Sequence, residues 1–216
     1  NSIALIPRPD GPLVWINALD VQSADAVLAL SRRLLVQNPD LTCLITVDSE
    51  TTANALTGLT TPRMILQYTP VEAASYINAF LNHWRPDLSV WTGTGFQPAF
   101  VVQTAKRKIP TVYIDAVMTA QSFRRYRLFN GMTASLLKRF DQILTQDTAS
   151  QKHLQNLGAP AENIHVSGNP YNSTPPLPHN ETQRKALARA IGGRAVWLAA
   201  LTEEGEEEVI LTAHRK

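Results

Sequence analysis

The stretch WINALDVQSADAVLAL, residues 15–30, joins an apolar strand to a helix and decides how the chain is interpreted. Its first residues complete the apolar run PLVWIN, residues 12–17, which is typical of a buried strand. A helix is predicted from Ser23 to Gln37, because Ala26, Val27, Leu30 and Leu34 recur at helical spacing. In an α/β domain the junction between strand and helix carries ligand-binding residues. Here it reads Asp20, Val21, Gln22, Ser23, without histidine, glutamate or glycine.

The same alternation continues along the chain. Further strands are predicted at 41–47, 63–68, 87–93, 111–117 and 141–146. The intervening helices are predicted at 52–56, 71–84, 96–108, 118–139 and 148–158. The helix over 71–84 is expected to bury Val71, Ala74, Ile77 and Leu81. Strands that are continuous apolar runs and alternate with helices indicate a parallel sheet covered on both faces. The predicted fold is therefore α/β, with a parallel, doubly wound, Rossmann-like sheet.

The amino-acid composition changes at SGNPYNSTPPLPHNET, residues 167–182, a segment that is typical of a linker. Beyond it follow a helix, TQRKALARAI, a predicted strand, RAVWLAA, and a final predicted helix, EEGEEEVILTAHRK. We predict an N-terminal domain over 1–168 and a linker with a connecting helix over 169–193. Residues 194–216 are interpreted as the first strand and helix of a second, truncated α/β domain, so we expect the chain to be a fragment.

Composition limits the class of protein. The 216 residues are 44% hydrophobic, which is enough for a substantial core. Five of the 18 acidic residues lie within 203–208, so the rest of the chain is basic. That surplus suits an anionic ligand or an anionic membrane surface, and it is also typical of a solvated surface. The single cysteine, Cys43, lies in an apolar run, which indicates a reducing compartment. No apolar run approaches the about 20 residues that span a bilayer, so the chain as given is expected to be soluble.

Motifs for cofactors and metals are weak. Gly93 and Gly95 are spaced G-x-G after the fourth strand, but Pro98 stands where a dinucleotide fingerprint needs its third glycine. We therefore interpret the pair as a tight turn into a helix. The five histidines are scattered and have no nearby cysteine pair, so neither a metal nor a cofactor is expected.

A basic cluster, Arg124, Arg125 and Arg127, is interleaved with Phe123 and Tyr126. Guanidinium groups bind phosphate through charge-assisted hydrogen bonds, so the cluster could hold a phosphorylated ligand. A solvated helix face explains the same pattern, and the sequence leaves both interpretations open.

Several segments, taken together, resemble one known family. They are GPLVWINALDV, FLNHWRPDLSVW, IPTVYIDAVMTAQSFRRY, LGAPAENIHVSGNP and GGRAVWLAALTEEGEEEVILTAHR, all in the family's order. The family is that of the bacterial lipid A 3-deoxy-D-manno-octulosonic acid (Kdo) transferases. The resemblance implies the N-terminal half of a two-domain GT-B glycosyltransferase that transfers Kdo from CMP-Kdo to a lipid A precursor in lipopolysaccharide synthesis. It also implies a nucleotide-sugar donor and no metal.

The resemblance further implies where the site residues lie. The family's general-base glutamate falls on Ser23, and Asp20 is the candidate replacement base. On the acceptor side the corresponding residues are Asn17, Gly93, Thr94, Gly95, Arg124 and Arg125. On the donor side they are Gly168, Asn169, Thr202, Gly205, Glu206 and Glu207.

The site motifs depart from the family's pattern together. The family histidine is Asn17 here, its glycine is Gln22, and the two glutamates after the fourth strand are Gly93 and Gly95. A serine without a neighbouring base does not accept a proton at neutral pH. Asp25 is another nearby carboxylate, but a first-turn aspartate stabilises the positive end of a helix.

Two hypotheses follow. In the first, the protein is a Kdo-transferase-like enzyme with rewired chemistry, acting on a lipid A precursor or another anionic glycolipid at the cytoplasmic face of the bacterial inner membrane. In the second, it is a catalytically degenerate paralogue that serves as a binding or regulatory protein. A third class, a nucleotide-binding oxidoreductase, is set aside because it would need a complete glycine fingerprint, which this sequence lacks. We expect the fragment alone to be inactive, a membrane surface to contact the full-length protein, and no nucleic acid to bind.

Overall fold

The fold is described from a computed structural model that covers residues 6–18, 23–93, 96–168, 180–194, 196–200, 202 and 205–214. The chain divides into two compact units, residues 1–174 and residues 175–216. The first unit contains the seven-stranded sheet, and the described part of the second contains two helices.

The first unit is built on a seven-stranded sheet in which every neighbouring pair is parallel. The strands are β1 Leu13–Ala18, β2 Thr42–Val47, β3 Met64–Tyr68, β4 Leu88–Thr92, β5 Thr111–Ala116, β6 Gln142–Thr145 and β7 Ile164–Val166. Their order is β3-β2-β1-β4-β5-β6-β7. The strand order reverses between β1 and β4, which makes this a doubly wound, Rossmann-like sheet as predicted.

Helices of the first unit alternate with the strands. They are α1 Ala24–Gln37, α2 Glu50–Leu56, α3 Ala74–Trp84, α4 Pro98–Lys106, α5 Ala120–Arg127, α6 Asn130–Leu137 and α7 Thr148–Asn156. Buried residues of α1 and α2 pack against one face of the sheet, and those of α3, α4, α6 and α7 pack against the other. The central strands β1 and β2 are buried at every position, as expected for a parallel sheet covered on both faces.

Three details of the sequence-based prediction are wrong in this unit. Helix α3 begins at Ala74, so Val71 lies before it with 70% of its surface exposed, and Ala74 is exposed as well. The predicted helix over 118–139 is two helices, interrupted where Phe129 adopts φ −119° and ψ 41°. Strand β7 was not predicted, because only Ile164 of its three residues is buried and no periodicity marks it.

An aromatic cluster forms the centre of the core on the face covered by α3 and α4. The ring centroid of Trp15 lies 5.0 Å from Phe80, 5.5 Å from Trp91 and 5.7 Å from Phe100. Each such pair contributes about 0.5–1.5 kcal/mol beyond the burial of its area. Because side chains alternate along a strand, Asn17 lies on the same face as Trp15, one step nearer the carboxyl end of β1.

The opposite face contains Cys43, which is buried as predicted. Burial raises the pKa of the Cys43 thiol above its ordinary value, outweighing the charge of Arg63, which lowers it. The thiol therefore stays neutral at physiological pH and packs as a small apolar group.

The second unit contains α8, Glu181–Ile191, and α9, Glu206–His214. Helix α8 begins at Asn180, whose Oδ1 accepts hydrogen bonds from the backbone N–H groups of Thr182 and Gln183, and ends at Gly192 with φ 61°. Residues 196–200 form no strand, contrary to the expectation for RAVWLAA. A strand is held by hydrogen bonds to a neighbouring strand, and none of the described residues pairs with this segment. No helix in the described ranges is long and apolar enough to cross a membrane.

Candidate functional site

The candidate site lies at the carboxyl ends of β1 and β4, where the strand order reverses. In open α/β sheets, ligands bind in the crevice at this topological switch point. Strand β1 is the strand that precedes the junction discussed in the sequence analysis. Asp20, the candidate base, lies outside the described residues, as do Thr94 and Gly95 after β4.

Ser23, at the position of the family base, directly precedes α1 and is 1% exposed. A buried hydroxyl is neutral at physiological pH and has no carboxylate chemistry to offer. Asp25 lies two residues further on, in the exposed first turn of α1. Its charge is favourable at the positive end of the helix, which accounts for an aspartate there without a catalytic role.

Asn17 is fully buried and connects four segments of the chain. Its Nδ2 donates to Gln97 Oε1 at 2.9 Å, and its Oδ1 accepts from Thr46 Oγ1 at 2.9 Å and from Thr69 Oγ1 at 3.3 Å. Its backbone carbonyl accepts from Thr92 Oγ1 at 3.2 Å. Asn17 thus ties the ends of β2 and β4, the residue after β3 and the start of α4 to β1.

Gly93 makes the turn at the end of β4. Its φ of 89° is in a region that side chains other than glycine rarely adopt, which supports the tight turn predicted for the glycine pair. The Tyr113 hydroxyl donates to the Gly93 carbonyl at 2.7 Å and holds this turn against β5. Gly93 replaces a family glutamate, so this position supplies backbone geometry and no charge.

Helix α4, which follows, is capped by a residue that the sequence analysis did not single out. Glu72 Oε1 accepts a 2.8 Å hydrogen bond from the Ala99 N–H group in the first turn of α4. A carboxylate at this end satisfies a free N–H group and complements the helix dipole. Gln97, which receives the bond from Asn17, immediately precedes α4. The capped end of α4 therefore belongs to the site.

Arg124, Arg125 and Arg127 are exposed on α5. None of the described side chains forms an ion pair or hydrogen bond with these three guanidinium groups. Helix α5 is held against α7 by its Phe123 side chain, whose ring stacks on that of His153 with centroids 4.8 Å apart. His153 Nδ1 in turn lies 2.7 Å from the Met118 carbonyl oxygen. The arginines are thus held on a fixed helix and face solvent.

Asp115, at the end of β5, has an unusual backbone for a residue with a side chain. Its φ is 56°, and the pairing of β5 with β6 shifts register between Tyr113 and Ala116. Gln146 Nε2 donates to Asp115 Oδ1. Aspartate tolerates this conformation better than most residues, so the bulge is consistent with the residue type.

The donor-side residues divide between the two units. Gly168, which has φ 80°, ends the first unit's described part, and Asn169 lies outside the described residues. In the second unit Thr202 is half-buried, Gly205 has φ 94°, and Glu206 and Glu207 are exposed in the first turn of α9. Acidic residues in a first helical turn stabilise that turn.

Within the described ranges, no group of three histidine, cysteine, aspartate or glutamate side chains is arranged to hold a metal ion.

Comparison with known proteins identifies relatives of the chain. The profile of the family described as 3-deoxy-D-manno-octulosonic-acid transferase (kdotransferase) matches residues 2–171. The 3-deoxy-D-manno-octulosonic acid transferase of Haemophilus influenzae is 28% identical over 98% of this chain and 49% of its own length. A probable mitochondrial 3-deoxy-D-manno-octulosonic acid transferase of Arabidopsis thaliana is 26% identical over 96% of this chain and 47% of its own. The chain thus spans about half the length of these curated relatives.

Solved structures share the fold at lower identity. UDP-GlcNAc 2-epimerase from Neisseria meningitidis, bound to UDP-GlcNAc, superposes with a TM-score of 0.55 at 13% identity, covering 84% of this chain and 54% of that one. UDP-GlcNAc 2-epimerase from Methanocaldococcus jannaschii gives a TM-score of 0.53 at 14% identity, covering 83% and 53%. At such identities the likeness establishes the fold alone.

Proposed function

Because the chain belongs to the 3-deoxy-D-manno-octulosonic-acid (Kdo) transferase family, we propose that it is part of a glycosyltransferase of lipopolysaccharide synthesis. The reaction transfers Kdo from CMP-Kdo to a lipid A precursor or a related anionic glycolipid. The observation that carries the proposal is the family match over residues 2–171, which includes the whole sheet and both strand ends that form the candidate site. We assign the acceptor to the first unit.

The acceptor side is supported by α5. Its three solvent-facing arginines, Arg124, Arg125 and Arg127, offer planar donors for phosphate groups of a glycolipid. Leu128, Phe129 and Met132 follow directly, and 79% of Leu128 and 62% of Phe129 are exposed. Basic and exposed apolar side chains side by side are typical of a surface that contacts an anionic membrane. We propose that this surface meets the cytoplasmic face of the inner membrane.

The donor side rests on the resemblance. Gly168, Asn169, Thr202, Gly205, Glu206 and Glu207 correspond to family donor positions, and we propose that they contact CMP-Kdo. The domain boundaries at 168 and 193 belong to the same proposal, with residues 194–216 beginning a second α/β domain. Neither donor nor acceptor chemistry calls for a metal in this scheme.

A second candidate function is favoured by the site itself. Ser23 is buried and neutral, and Gly93 brings no carboxylate to the end of β4. A transferase needs a group that accepts the acceptor's hydroxyl proton. If Asp20 does not perform this role, the protein is a degenerate paralogue that binds the family's ligands without turnover and acts as a regulatory or binding protein.

Transfer of Kdo from CMP-Kdo to a lipid A precursor, measured with the protein in its longest natural form, tests the proposal. The wild type is compared with Asp20→Asn and with Asp25→Asn as the matched control, since Asp25 lies at an exposed helix end. Transfer that Asp20→Asn abolishes and Asp25→Asn leaves intact supports a rewired enzyme. Absence of transfer in a folded wild type supplied with both substrates supports the degenerate paralogue.

A further inference from the structure

A row of uncharged polar side chains crosses the sheet beside the candidate site. Asn17 pairs in register with Thr46, and Thr46 pairs with Gln67. Each of the three is the next-to-last residue of its strand, in β1, β2 and β3 respectively. Residues paired across neighbouring parallel strands lie side by side on one face. The row therefore extends from the switch point to the edge strand at the carboxyl ends.

Two members of this row have a hydrogen-bond partner for each polar side-chain atom. Thr46 Oγ1 accepts from Trp15 Nε1 at 2.8 Å and donates to Asn17 Oδ1 at 2.9 Å. Asn17 Nδ2 in turn donates to Gln97 Oε1, and Thr69 Oγ1 donates to Asn17 Oδ1. The network fixes the orientation of the Asn17 amide and links it to the start of α4.

Gln67, the third member, is different. It is 7% exposed, and neither Nε2 nor Oε1 has a hydrogen-bond partner among the described residues. Leaving a buried amide without partners costs about 1–3 kcal/mol for each unsatisfied group, so native proteins contain few. An apolar residue at this position would avoid the cost. The glutamine therefore calls for a partner that binds at the ends of the strands.

The chemistry of the row and of the two residues bonded to Asn17 restricts that partner. The three members of the row, together with Thr69 and Gln97, are amides and hydroxyls, and none of them ionises in the physiological range. An amide presents a donor and an acceptor side by side, and a sugar hydroxyl both donates and accepts. A charged phosphate would find no countercharge in this row, whereas the hydroxyl groups of a sugar ring match it.

We infer that Gln67 binds a hydroxyl group of the acceptor's sugar ring, with Asn17 and Gln97 positioned beside it by the hydrogen-bond network. The inference rests on the proposed function, in which the acceptor is a glycolipid. Its sugar then lies at the ends of β1–β3.

The test uses an uncharged soluble probe, the methyl glycoside of N-acetylglucosamine, titrated into the ¹⁵N-labelled chain. In the wild type the side-chain amide resonances of Gln67, Asn17 and Gln97 shift with one dissociation constant. Gln67→Met, which keeps the length of the side chain, weakens binding about tenfold, and Gln67→Leu does the same should the methionine variant fold poorly. Thermal stability stays equal or rises, because the unpartnered groups are gone.

Ser31→Ala is the matched control, since Ser31 is buried on α1, which packs against the other face. We expect the Ser31→Ala variant to bind the methyl glycoside with the same dissociation constant as the wild type. An unchanged dissociation constant in Gln67→Met, or no shift of the Gln67 amide in the wild type, overturns the inference and leaves Gln67 as a hydrated structural residue. Failure of the Kdo-transfer assay with sugar binding intact refutes the proposed reaction and leaves the sugar subsite standing.

Discussion

Asn17 Nδ2 donates a 2.9 Å hydrogen bond to Gln97 Oε1, and this bond joins the end of β1 to the start of α4 at the switch point of the sheet. Both amide atoms of the Asn17 side chain are in use. The asparagine therefore acts as a fixed connection between strand ends, and the residues around it depend on it for their own hydrogen bonds.

Asn17→Ala should consequently destabilise the first unit. It removes the side-chain partner of Gln97 and of Thr69 and one of the two partners of Thr46 Oγ1, which keeps its bond from Trp15 Nε1. Buried polar groups that lose a partner cost about 1–3 kcal/mol each. We expect the free energy of unfolding in urea to fall by about 2–4 kcal/mol in total, given that Gln97 is only half-buried. Thr57→Ala, which removes an exposed hydrogen bond to the Ala53 carbonyl, should change it by less than about 1 kcal/mol. Equal losses in the two variants would contradict the role given to Asn17.

Ser23→Glu alone should not produce a working transferase. The side chain at this position is buried, and a carboxylate there loses its hydration. The other family site residues, including the glutamate at the position of Gly93, are also absent. We expect no Kdo transfer above background and a lower thermal midpoint than in Ser23→Gln, the uncharged control. Measurable transfer by Ser23→Glu would show that the loss of one base is the whole difference from the family.

Most of the fold could be predicted because its signals are local. The strands from β1 to β6 are apolar runs of four to six residues, and α1 carries an apolar stripe at helical spacing. Strand β7 could not be recognised, since only Ile164 in it is buried. The end of α3 was predicted correctly at Trp84, but its start was not, because Val71 fits the periodicity without being helical.

The candidate site was less accessible to sequence reasoning. Asn17 could be singled out from its place after β1, whereas Gln67 is adjacent to Thr46 only through the register of β2 and β3. The bond between Glu72 and the Ala99 N–H group joins residues on either side of α3 and β4. Such contacts depend on strand order and register, which cannot be predicted from the local hydrophobic pattern of the sequence.

Arg124→Ala and Arg125→Ala should weaken binding of a phosphorylated acceptor. Each removes an exposed guanidinium that no described residue engages, so stability should stay within about 0.5 kcal/mol of the wild type. Loss of one charge-assisted hydrogen bond to phosphate corresponds to roughly tenfold weaker binding, or about 1.4 kcal/mol. The measurement is a titration with a phosphorylated lipid A precursor at two salt concentrations, since added salt screens the contribution.

Arg33→Ala on α1 provides the control for these two substitutions, because Arg33 is exposed and equally basic but belongs to a different helix. It should leave the affinity unchanged. Unchanged affinity in Arg124→Ala and Arg125→Ala as well would return this cluster to the interpretation of a solvated helix face.

The exposed apolar residues that follow α5, two before α6 and one in its first turn, should govern contact with membranes. Leu128, Phe129 and Met132 are exposed beside three arginines, and burying such side chains among lipid chains contributes about 25 cal/mol for each Å² of apolar surface. Replacing all three by serine should reduce co-sedimentation with phosphatidylglycerol vesicles at least tenfold and leave the thermal midpoint unchanged. Vesicles of phosphatidylcholine should bind the wild type more weakly, because they offer no negative charge to Arg124, Arg125 and Arg127.

Val36→Ser is the matched control for the membrane experiment, since Val36 is an exposed apolar residue near the end of α1. It should bind phosphatidylglycerol vesicles as the wild type does, because it removes apolar surface on a different helix and leaves the residues of α5 and α6 unchanged. If the triple serine variant also binds like the wild type, the α5–α6 surface does not face the membrane. The glycolipid would then have to reach the strand ends from another side of the sheet.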